Sequence, residues 1–213
     1  METNKKPHTR RLPTEGVFIH HDSNDVLYSL MYSLATYNTT EEKLYLAKAL
    51  MTANKKLIYQ SCGFTNSAMM RRHLNKLIEK NLIEETDDKY YFPQNPDEKY
   101  RLLEKDMLFY LATTRSTQSI RVFMILLDCY LWKKNENSEF IFTNTYLLDK
   151  LGYSATNKLA SSVITEILES FEREGVIQFE TVYEIKILSS GKEVPTPKKI
   201  LKFVATKKSE IKN

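Results

Sequence analysis

The sequence predicts a helix-rich α+β fold made of two similar units in tandem. With 42% hydrophobic residues, 11% aromatic residues and only five glycines, the composition is typical of a folded globular protein rather than a disordered chain. The length of 213 residues is sufficient for two small cores. A pattern of helix, turn, helix and strand pair also occurs twice along the chain. These observations favour two mainly α-helical domains, each ending in a small β-hairpin.

The N-terminal third begins with a segment that lacks helical periodicity. Residues 1–23 mix prolines, a glycine and charged residues, which predicts an arm that is flexible or loosely docked. Asp25 is expected to cap a helix whose apolar stripe covers residues 26–34. Residues 39–42 resemble a second capping sequence, and the apolar positions in residues 44–51 predict a further amphipathic helix.

The first repeat occupies residues 55–92. A short helix is expected to stop at Gly63, and residues 65–67 offer an N-cap for a longer helix. This helix should end at Asn81, because asparagine tolerates the left-handed conformation that closes helices. Two strand-like segments then flank the polar turn at residues 86–88, which predicts a hairpin.

The second repeat, in residues 146–205, has the same order of predicted elements. Its long helix ends at Gly175, which occupies the position of Asn81 when the two helix ends are aligned. Apolar residues of the two copies then correspond at a constant offset, with Met70, Leu74, Leu77, Leu82 and Ile83 opposite Ile164, Leu168, Phe171, Val176 and Ile177. The correspondence predicts an internal structural duplication in which the second copy has the longer hairpin. Its strands are expected at residues 178–188 and 200–205, on either side of a loop that contains Gly191, Pro195 and Pro197.

Domain boundaries follow from composition. The segment around residues 93–98 is rich in proline and polar residues, whereas an apolar helical run begins after Ser119. Ile141 and Phe142 are expected to form a short strand. The predicted organisation is an arm at residues 1–23, a first domain at 24–95, a connector with a helical segment at 96–118, a second domain at 119–206 and a basic C-terminal tail at 207–213.

The bulk properties limit the compartment. Cys62 and Cys129 are far apart in sequence and lie in apolar stretches, which suits reduced core thiols better than a disulfide framework. The N-terminus lacks the apolar core of a signal peptide, and the longest apolar runs are too short to span a bilayer. We therefore expect a cytoplasmic protein without a membrane partner.

The two repeats resemble winged-helix domains. The segments that carry this resemblance are "KKLIYQSCGFTNSAMMRRHLNKLIEKNLIEE" with the following "KYYF" in residues 55–92, and "TYLLDKLGYSATNKLASSVITEILESFEREGVIQF" in residues 145–179. Two such domains over residues 25–205 resemble the replication initiator (Rep) proteins of plasmids and, less closely, phage replisome organisers. The resemblance implies two winged helix-turn-helix domains in tandem, mainly α with small β-hairpin wings, and a role in binding double-stranded DNA.

The long helix of the first repeat carries side chains suited to DNA. Arginine can form a fork of hydrogen bonds to guanine, asparagine can pair with adenine, and lysine or serine can hold phosphates. The candidate residues on this helix are Asn66, Ser67, Arg71, Arg72, Asn75 and Lys76. Lys55 and Lys56 precede them and are further candidates. Lys89 in the hairpin is a candidate contact to the DNA backbone, although Asp87 and Asp88 beside it would repel phosphate.

The second repeat offers fewer charges. Its candidate contacts are the small or polar residues Thr156, Asn157, Lys158, Ser161 and Ser162. The far half of its long helix is acidic, so either only the N-terminal end approaches DNA or this domain serves mainly for dimerisation. Lys198 and Lys199 begin a basic C-terminal segment that either contacts phosphate or acts as a solubilising tail.

No enzyme, metal site or cofactor is expected. The four histidines and two cysteines do not have the spacing of a zinc site, and no glycine-rich phosphate-binding loop is present in the sequence. The first functional hypothesis is therefore a sequence-specific initiator of plasmid or phage DNA replication that acts at repeated origin sites. The alternatives are a transcriptional regulator, such as a repressor at an operator, and a non-enzymatic protein-interaction scaffold. Candidate partners are double-stranded DNA, a second copy in a homodimer, and a replication helicase or other replisome protein.

Overall fold

The computed structural model describes residues 9–13, 24–93, 100–187 and 189–211. The chain divides into two compact units, residues 1–120 and 121–213. The described residues form a mixed α+β structure with eight α-helices and three small antiparallel sheets. None of the described helices is both long enough and apolar enough to cross a membrane.

The first unit contains eleven of these elements. In chain order they are β1 (Thr9–Pro13), α1 (Asp25–Leu34), β2 (Thr36–Asn38), β3 (Lys43–Ala47), α2 (Lys48–Ala53), α3 (Lys55–Cys62), α4 (Ser67–Glu79), β4 (Glu84–Glu85), β5 (Lys89–Phe92), β6 (Tyr100–Glu104) and α5 (Lys105–Thr114). Strands β2, β3, β5 and β4 form one antiparallel sheet in that order, and β1 pairs with β6 in another.

Helix α1 lies at the centre of the first unit. Its side chains are buried on nearly all sides, and the helix packs against α3, α5 and β3. The aromatic rings of Tyr28 and Tyr32 stack at 5.3 Å, and both lie within 6 Å of the ring of Phe92 on β5. These contacts stabilise the packing of β5 against α1, because aromatic pairs at such separations contribute energy beyond that of buried apolar area.

The second unit continues from helix α6 (Thr117–Asn135), whose first residues lie before the division between the units. It contains β7 (Phe140–Phe142), α7 (Asn144–Lys150), α8 (Lys158–Arg173), β8 (Ile177–Ile187), β9 (Glu193–Val204) and a short 3-10 helix (Lys208–Glu210). The three strands form an antiparallel sheet in the order β7, β9, β8. The core includes the rings of Phe123 and Phe171, whose centroids are 6.1 Å apart.

The two units share part of their order of elements. In the second unit the buried helix α6 is followed by β7, the short helix α7, the long helix α8 and a hairpin. The first unit has this order with β2 and α2 in addition, and β3 and β7 each pair with the last strand of the hairpin in their unit. The long helices also end in the same way. The Leu82 amide donates to the Leu77 carbonyl at 3.0 Å, and the Val176 amide donates to the Phe171 carbonyl at 2.8 Å. This six-residue closure satisfies carbonyls that the helix end would otherwise leave unpaired.

The predicted helix stops are confirmed. Asn81 has a φ of 55°, Gly175 has a φ of 69°, and Gly63 after α3 has a φ of 67°. All three adopt the left-handed conformation that glycine and asparagine tolerate best. The strand at residues 140–142, which contains the predicted Ile141 and Phe142, is confirmed as β7.

One predicted helix is wrong. Residues 39–42 form a turn, in which Glu42 has a φ of 53°, and the expected helix at residues 44–51 is divided between strand β3 and the short helix α2. Leu44 and Leu46 are both buried, while their neighbours face the opposite side of the sheet. This alternation is the period of a strand, and pairing with β5 satisfies its backbone better than a continued helix would.

The expected cap of α1 is also wrong. The N-cap residue is Asn24 rather than Asp25, and its side chain makes no capping hydrogen bond. Asn24 is buried, and its side-chain oxygen instead hydrogen-bonds Nδ1 of His73 on α4. The residue before α1 therefore joins two helices of the first unit.

Parts of the expected arm and connector belong to the fold of the first unit. Strand β1, inside the predicted arm, pairs with β6, so that Arg10 lies opposite Leu103. Buried Arg10 donates from its guanidinium to the carbonyls of Tyr32 at 2.9 Å and Ala35 at 2.6 Å. The predicted connector at 96–118 contains β6 and α5, and α5 packs against α1. The rest of the predicted arm, at residues 1–8 and 14–23, and residues 94–99 lie outside the described residues.

Candidate nucleic-acid interface

Helix α4 presents one buried and one exposed side. Asn66 forms its N-cap by accepting a hydrogen bond from the Met69 amide at 2.8 Å, which matches the predicted start of this helix. His73, Leu74 and Leu77 are buried against the rest of the first unit. The opposite stripe is exposed and includes Ser67, Ala68, Arg71, Arg72, Asn75, Lys76 and Glu79. Six predicted contact residues, Asn66 with five members of that stripe, therefore lie at the start or on the exposed face of one helix.

The exposed stripe of α4 is free of carboxylates over most of its length. Between Ser67 and Ile78 the helix sequence contains no aspartate or glutamate, and Glu79 is the last residue of the helix. Arg72, Asn75 and Lys76 occupy adjacent turns of this stripe. This segment combines a guanidinium, an amide and an ammonium group, which can donate hydrogen bonds to base edges and phosphates.

Arg71 is held by a carboxylate of the hairpin. Its guanidinium donates to Oε1 of Glu85 on β4 at 2.8 Å, and the ammonium group of Lys48 lies 2.8 Å from the same oxygen. The hydrogen bond from Arg71, together with the one from Lys48, lowers the pKa of Glu85 from 4.5 to about 2. Glu85 therefore stays ionised at neutral pH and fixes two basic side chains at the junction of α4 and the hairpin.

Lys89 is the first residue of β5, next to the hairpin turn, and lies on the opposite face of the sheet from Tyr90 and Glu85. Its ammonium group is 5.1 Å from the ring centroid of Tyr45 and 5.9 Å from that of Tyr91. It is half-buried, and the carboxylate of Asp88 lies 4.0 Å away. The tip itself carries exposed Asp87 and Asp88, so the negative charge anticipated from the sequence faces solvent there.

Two further predicted lysines begin helix α3. Lys55 and Lys56 are both exposed, and the ammonium group of Lys55 lies 5.3 Å from the ring centroid of Tyr59. Helix α3 directly precedes α4 in the chain, with the turn at Gly63 between them. The lysines therefore extend the basic character of this unit beyond α4.

Five predicted DNA contacts of the second unit lie at or near the N-terminal end of α8. Asn157 caps the helix by accepting from the Ala160 amide at 3.0 Å, and exposed Lys158 is the first helical residue. Ser162 is exposed and Ser161 is half-buried, whereas Thr156 lies in the preceding turn, with its hydroxyl 2.9 Å from that of Ser154. The exposed residues Glu166, Glu169 and Glu172 follow along the helix.

Lys198 and Lys199 are engaged within the second unit. The Lys198 ammonium group forms an ion pair with Glu184 across the hairpin at 2.5 Å. Lys199 is half-buried and donates to the side-chain oxygen of Asn144 at 3.3 Å. Burial lowers the pKa of Lys199, although nearby Glu169 opposes this change. These two lysines are thus tied to the sheet and to α7, unlike the exposed cation at the start of α8.

Sequence reasoning missed the roles of Lys48, Glu85 and His73. The ion-pair cluster joins residues that are far apart in sequence, and the only signal was the pair Glu84 and Glu85, which follows the end of α4 by a few residues. His73 belongs to the basic helix α4, but its side chain is buried, and the centroid of its ring lies 5.0 Å from that of Phe64. It therefore contributes to the core of the first unit and not to the exposed stripe.

Among the described residues, no group of three or more histidine, cysteine, aspartate or glutamate side chains is arranged to hold a metal ion. Cys62 and Cys129 are free thiols, as expected from their separation in the sequence. Burial raises the pKa of Cys62 to about 12, which keeps this thiol protonated at neutral pH. Comparison of the chain with known protein families, curated proteins and solved structures gives no match.

Proposed function

We propose that this protein is a sequence-specific double-stranded DNA-binding protein built from two winged helix-turn-helix units. The observation that carries the proposal is the exposed stripe of α4 from Ser67 to Lys76, which contains no carboxylate and on which Arg72, Asn75 and Lys76 are exposed together. A helix of this composition fits the major groove, where arginine and asparagine distinguish guanine and adenine by paired hydrogen bonds.

The shared order of elements supports the winged-helix proposal. In each unit two consecutive helical segments are joined by a turn and followed by a hairpin, and an earlier strand, β3 or β7, pairs with the last strand of that hairpin. In the first unit α3 and α4 are these segments, and in the second unit they are α7 and α8. In winged-helix proteins the second helix of the pair enters the major groove, so α4 and α8 are the proposed recognition helices.

Within the first unit we assign separate tasks to the basic residues. Arg72 and Asn75 are the proposed base readers, while Lys76 and the two lysines of α3 contact phosphates. Arg71 is oriented by Glu85, which directs its guanidinium toward the hairpin side of α4. The pairing also limits the positive charge at this site, which reduces indiscriminate attraction to phosphate.

In the second unit only the beginning of α8 is proposed to approach DNA. Lys158 and Ser162 are exposed near the capped N-terminus, where the helix dipole also favours phosphate. Farther along α8, Glu166 and Glu169 are exposed and would repel the DNA backbone. This distribution of charge favours a shallow contact by the second recognition helix.

For the biological role we propose initiation of plasmid or phage replication in the cytoplasm, by contact with repeated origin DNA rather than by catalysis. The support for this role is the resemblance of two consecutive winged helices to plasmid initiators. A replication helicase or other replisome protein is the candidate protein partner for this role. A repressor would use the same contacts at an operator, so the position of the bound sites relative to genes distinguishes the two roles.

A charge-reversal experiment tests the DNA contact. The variant Arg72→Glu/Lys76→Glu changes two exposed residues of α4 without touching the Arg71 ion pair. We expect at least a hundredfold loss of affinity for duplex DNA from the protein's own genomic neighbourhood, since each lost phosphate or base contact costs about 1–3 kcal/mol. Fluorescence anisotropy with labelled duplexes measures this loss.

The matched control is Lys133→Glu/Lys134→Glu, which makes the same change of charge near the end of α6. This control should bind within about threefold of the unmodified protein, because the residues lie outside the proposed recognition helices. Equal affinities for the α4 variant and the unmodified protein would refute the proposed contact and leave the protein-interaction scaffold as the better explanation.

A further inference from the structure

The hairpin of the second unit exposes an apolar face. Tyr183, Ile185 and Ile187 alternate along β8 and are 70%, 62% and 66% exposed. On β9, Pro195 lies opposite Ile185 and Pro197 lies opposite Tyr183, and both prolines are exposed on the same face. Large apolar side chains grouped in this way are uncommon on the surface of a monomer and mark an interaction surface.

The two edges of this hairpin differ in their ability to pair with another strand. Proline has no N–H group, so neither Pro195 nor Pro197 can donate to a neighbouring strand. The outer edge of β9 is thereby blocked beyond the part that pairs with β7. Strand β8 contains no proline over its length, and within the described residues it pairs only with β9. Its outer edge is therefore a template for another strand.

The prolines also determine which backbone groups of β8 point outward. In an antiparallel pair, opposite residues either exchange two hydrogen bonds or exchange none, and the two kinds of pair alternate. Because Pro195 and Pro197 cannot exchange such bonds, Ile185 and Tyr183 occupy non-bonded pairs with respect to β9. Their N–H and C=O groups, and by alternation those of Ile187, consequently point to the free edge.

We propose that β8 pairs antiparallel with β8 of a second copy of this chain, around a twofold axis at Ile185. In this register Ile185 lies opposite Ile185 of the second copy, and Tyr183 lies opposite its Ile187. These are the residues whose backbone groups point outward, so each pair can exchange both hydrogen bonds. The exposed apolar side chains of the two copies then extend one continuous face.

Charge complementarity favours a second copy as the occupant of this edge. In the same register Glu184 lies opposite Lys186 of the second copy, and the symmetry repeats this pair on the other side of the axis. These residues fall in non-bonded pairs, where opposite side chains are closest. Lys198 already contacts Glu184 at 2.5 Å, so each Glu184 would lie between two lysines. The edge is thus complementary to itself in both hydrogen bonding and charge.

Sedimentation velocity at increasing protein concentration tests this dimer with two single variants. Glu184→Lys and Lys186→Glu each place like charges opposite one another at both symmetric positions, so each should weaken self-association about tenfold or more. An equimolar mixture of the two variants pairs opposite charges at every position and should recover the dimer. The control Lys192→Glu makes the same change as Lys186→Glu but lies at the hairpin turn, so its self-association should be unchanged.

Disulfide trapping checks the register independently of these charges. Ile185→Cys should form an intermolecular disulfide under mild oxidation, because residues facing each other across a bonded pair have Cα atoms about 5.5 Å apart. Tyr183→Cys should not form one, since its own equivalent in the second copy is several residues away. An unmodified protein that stays monomeric at all concentrations, or equal crosslinking of the two cysteine variants, would overturn the proposal.

Discussion

At the scale of single residues, Glu85 is the most informative side chain of the candidate interface. One of its oxygens accepts from both Arg71 and Lys48 at 2.8 Å. The three residues come from β4, α4 and the start of α2, so the cluster links the hairpin with two helices. Its side chain is also the least exposed of the three, at 19%. A carboxylate in this position both stabilises the unit and controls the charge beside α4.

The lowered pKa of Glu85 predicts a specific dependence of stability on pH. Because the pKa is about 2 in the folded protein and near 4.5 otherwise, the ionised form stabilises the fold above pH 4.5, and this contribution is lost as the pH falls toward 2. At neutral pH, Glu85→Gln should lower the free energy of unfolding by about 1 kcal/mol, since the ion pairs are partly exposed.

Urea denaturation of the two proteins at a series of pH values measures this difference. We expect the advantage of the unmodified protein to shrink between pH 4.5 and 2, the interval set by the two values of the pKa. A difference that stays constant over this interval would show that Glu85 contributes by packing or uncharged hydrogen bonding instead of by its charge.

At the scale of elements, the C-terminal ends of α4 and α8 were predictable because local chemistry determines them. Asn81 and Gly175 were identified from sequence, and both have positive φ at the end of a long helix. Capping by Asn66 was likewise predictable from residue type and position. In contrast, residues 44–51 were assigned to a helix, although Leu44 and Leu46 are buried in a strand. Pairing with β5 determines the strand conformation of this segment, and a local sequence pattern does not reveal a partner so far away in the chain.

The helix stop after α4 offers a test at this scale. Asn81 is exposed and has a φ of 55°, so the backbone conformation dominates the effect of substitutions there. Asn81→Ala should lower the free energy of unfolding by about 1 kcal/mol, because alanine is strained in the left-handed region. Asn81→Gly should leave it unchanged or raise it by a few tenths of a kcal/mol.

Thermal and urea denaturation of these two variants provides the comparison. The order of stability should be glycine, then asparagine, then alanine at this position. If alanine were as stable as glycine, the left-handed closure of α4 would not be the feature that ends the helix, and the proposed equivalence with the end of α8 would lose its support.

At the scale of the whole molecule, the sequence was sufficient to predict two helical units with hairpins. It predicted the exposure of individual side chains better than the contacts that they make. The exposed stripe of α4 followed from helical periodicity, since buried Leu74 and Leu77 place Arg72 and Lys76 on the other side. The ion pair of Arg71 with Glu85 could not be predicted in this way, because the two residues come together only when the hairpin folds against α4. Charge patterns along a helix thus predict exposure, whereas ion pairing depends on tertiary placement.

The size of the second hairpin was also only partly predictable. Its first strand was expected, but the second strand was expected only from residue 200 and instead begins at Glu193, so that both prolines of the expected loop lie in it. The resulting lengths of 11 and 12 residues exceed a small wing and produce the exposed apolar edge. The prolines that close one side of this hairpin could be read in the sequence, although their place opposite Tyr183 and Ile185 required the register. The two units therefore share part of their order of elements and differ in the surfaces that they present.

The most direct test of DNA contact by α4 is a salt titration of binding, performed with random duplex and with DNA from the protein's own genomic neighbourhood. We predict that affinity falls steeply with salt and that the local DNA is preferred. We also predict that Arg72→Ala/Lys76→Ala reduces the slope of log affinity against log salt by about one, because, of the two residues, only Lys76 is assigned a phosphate contact. Absence of binding at low salt, or a slope unaffected by the double substitution, would contradict DNA recognition by α4.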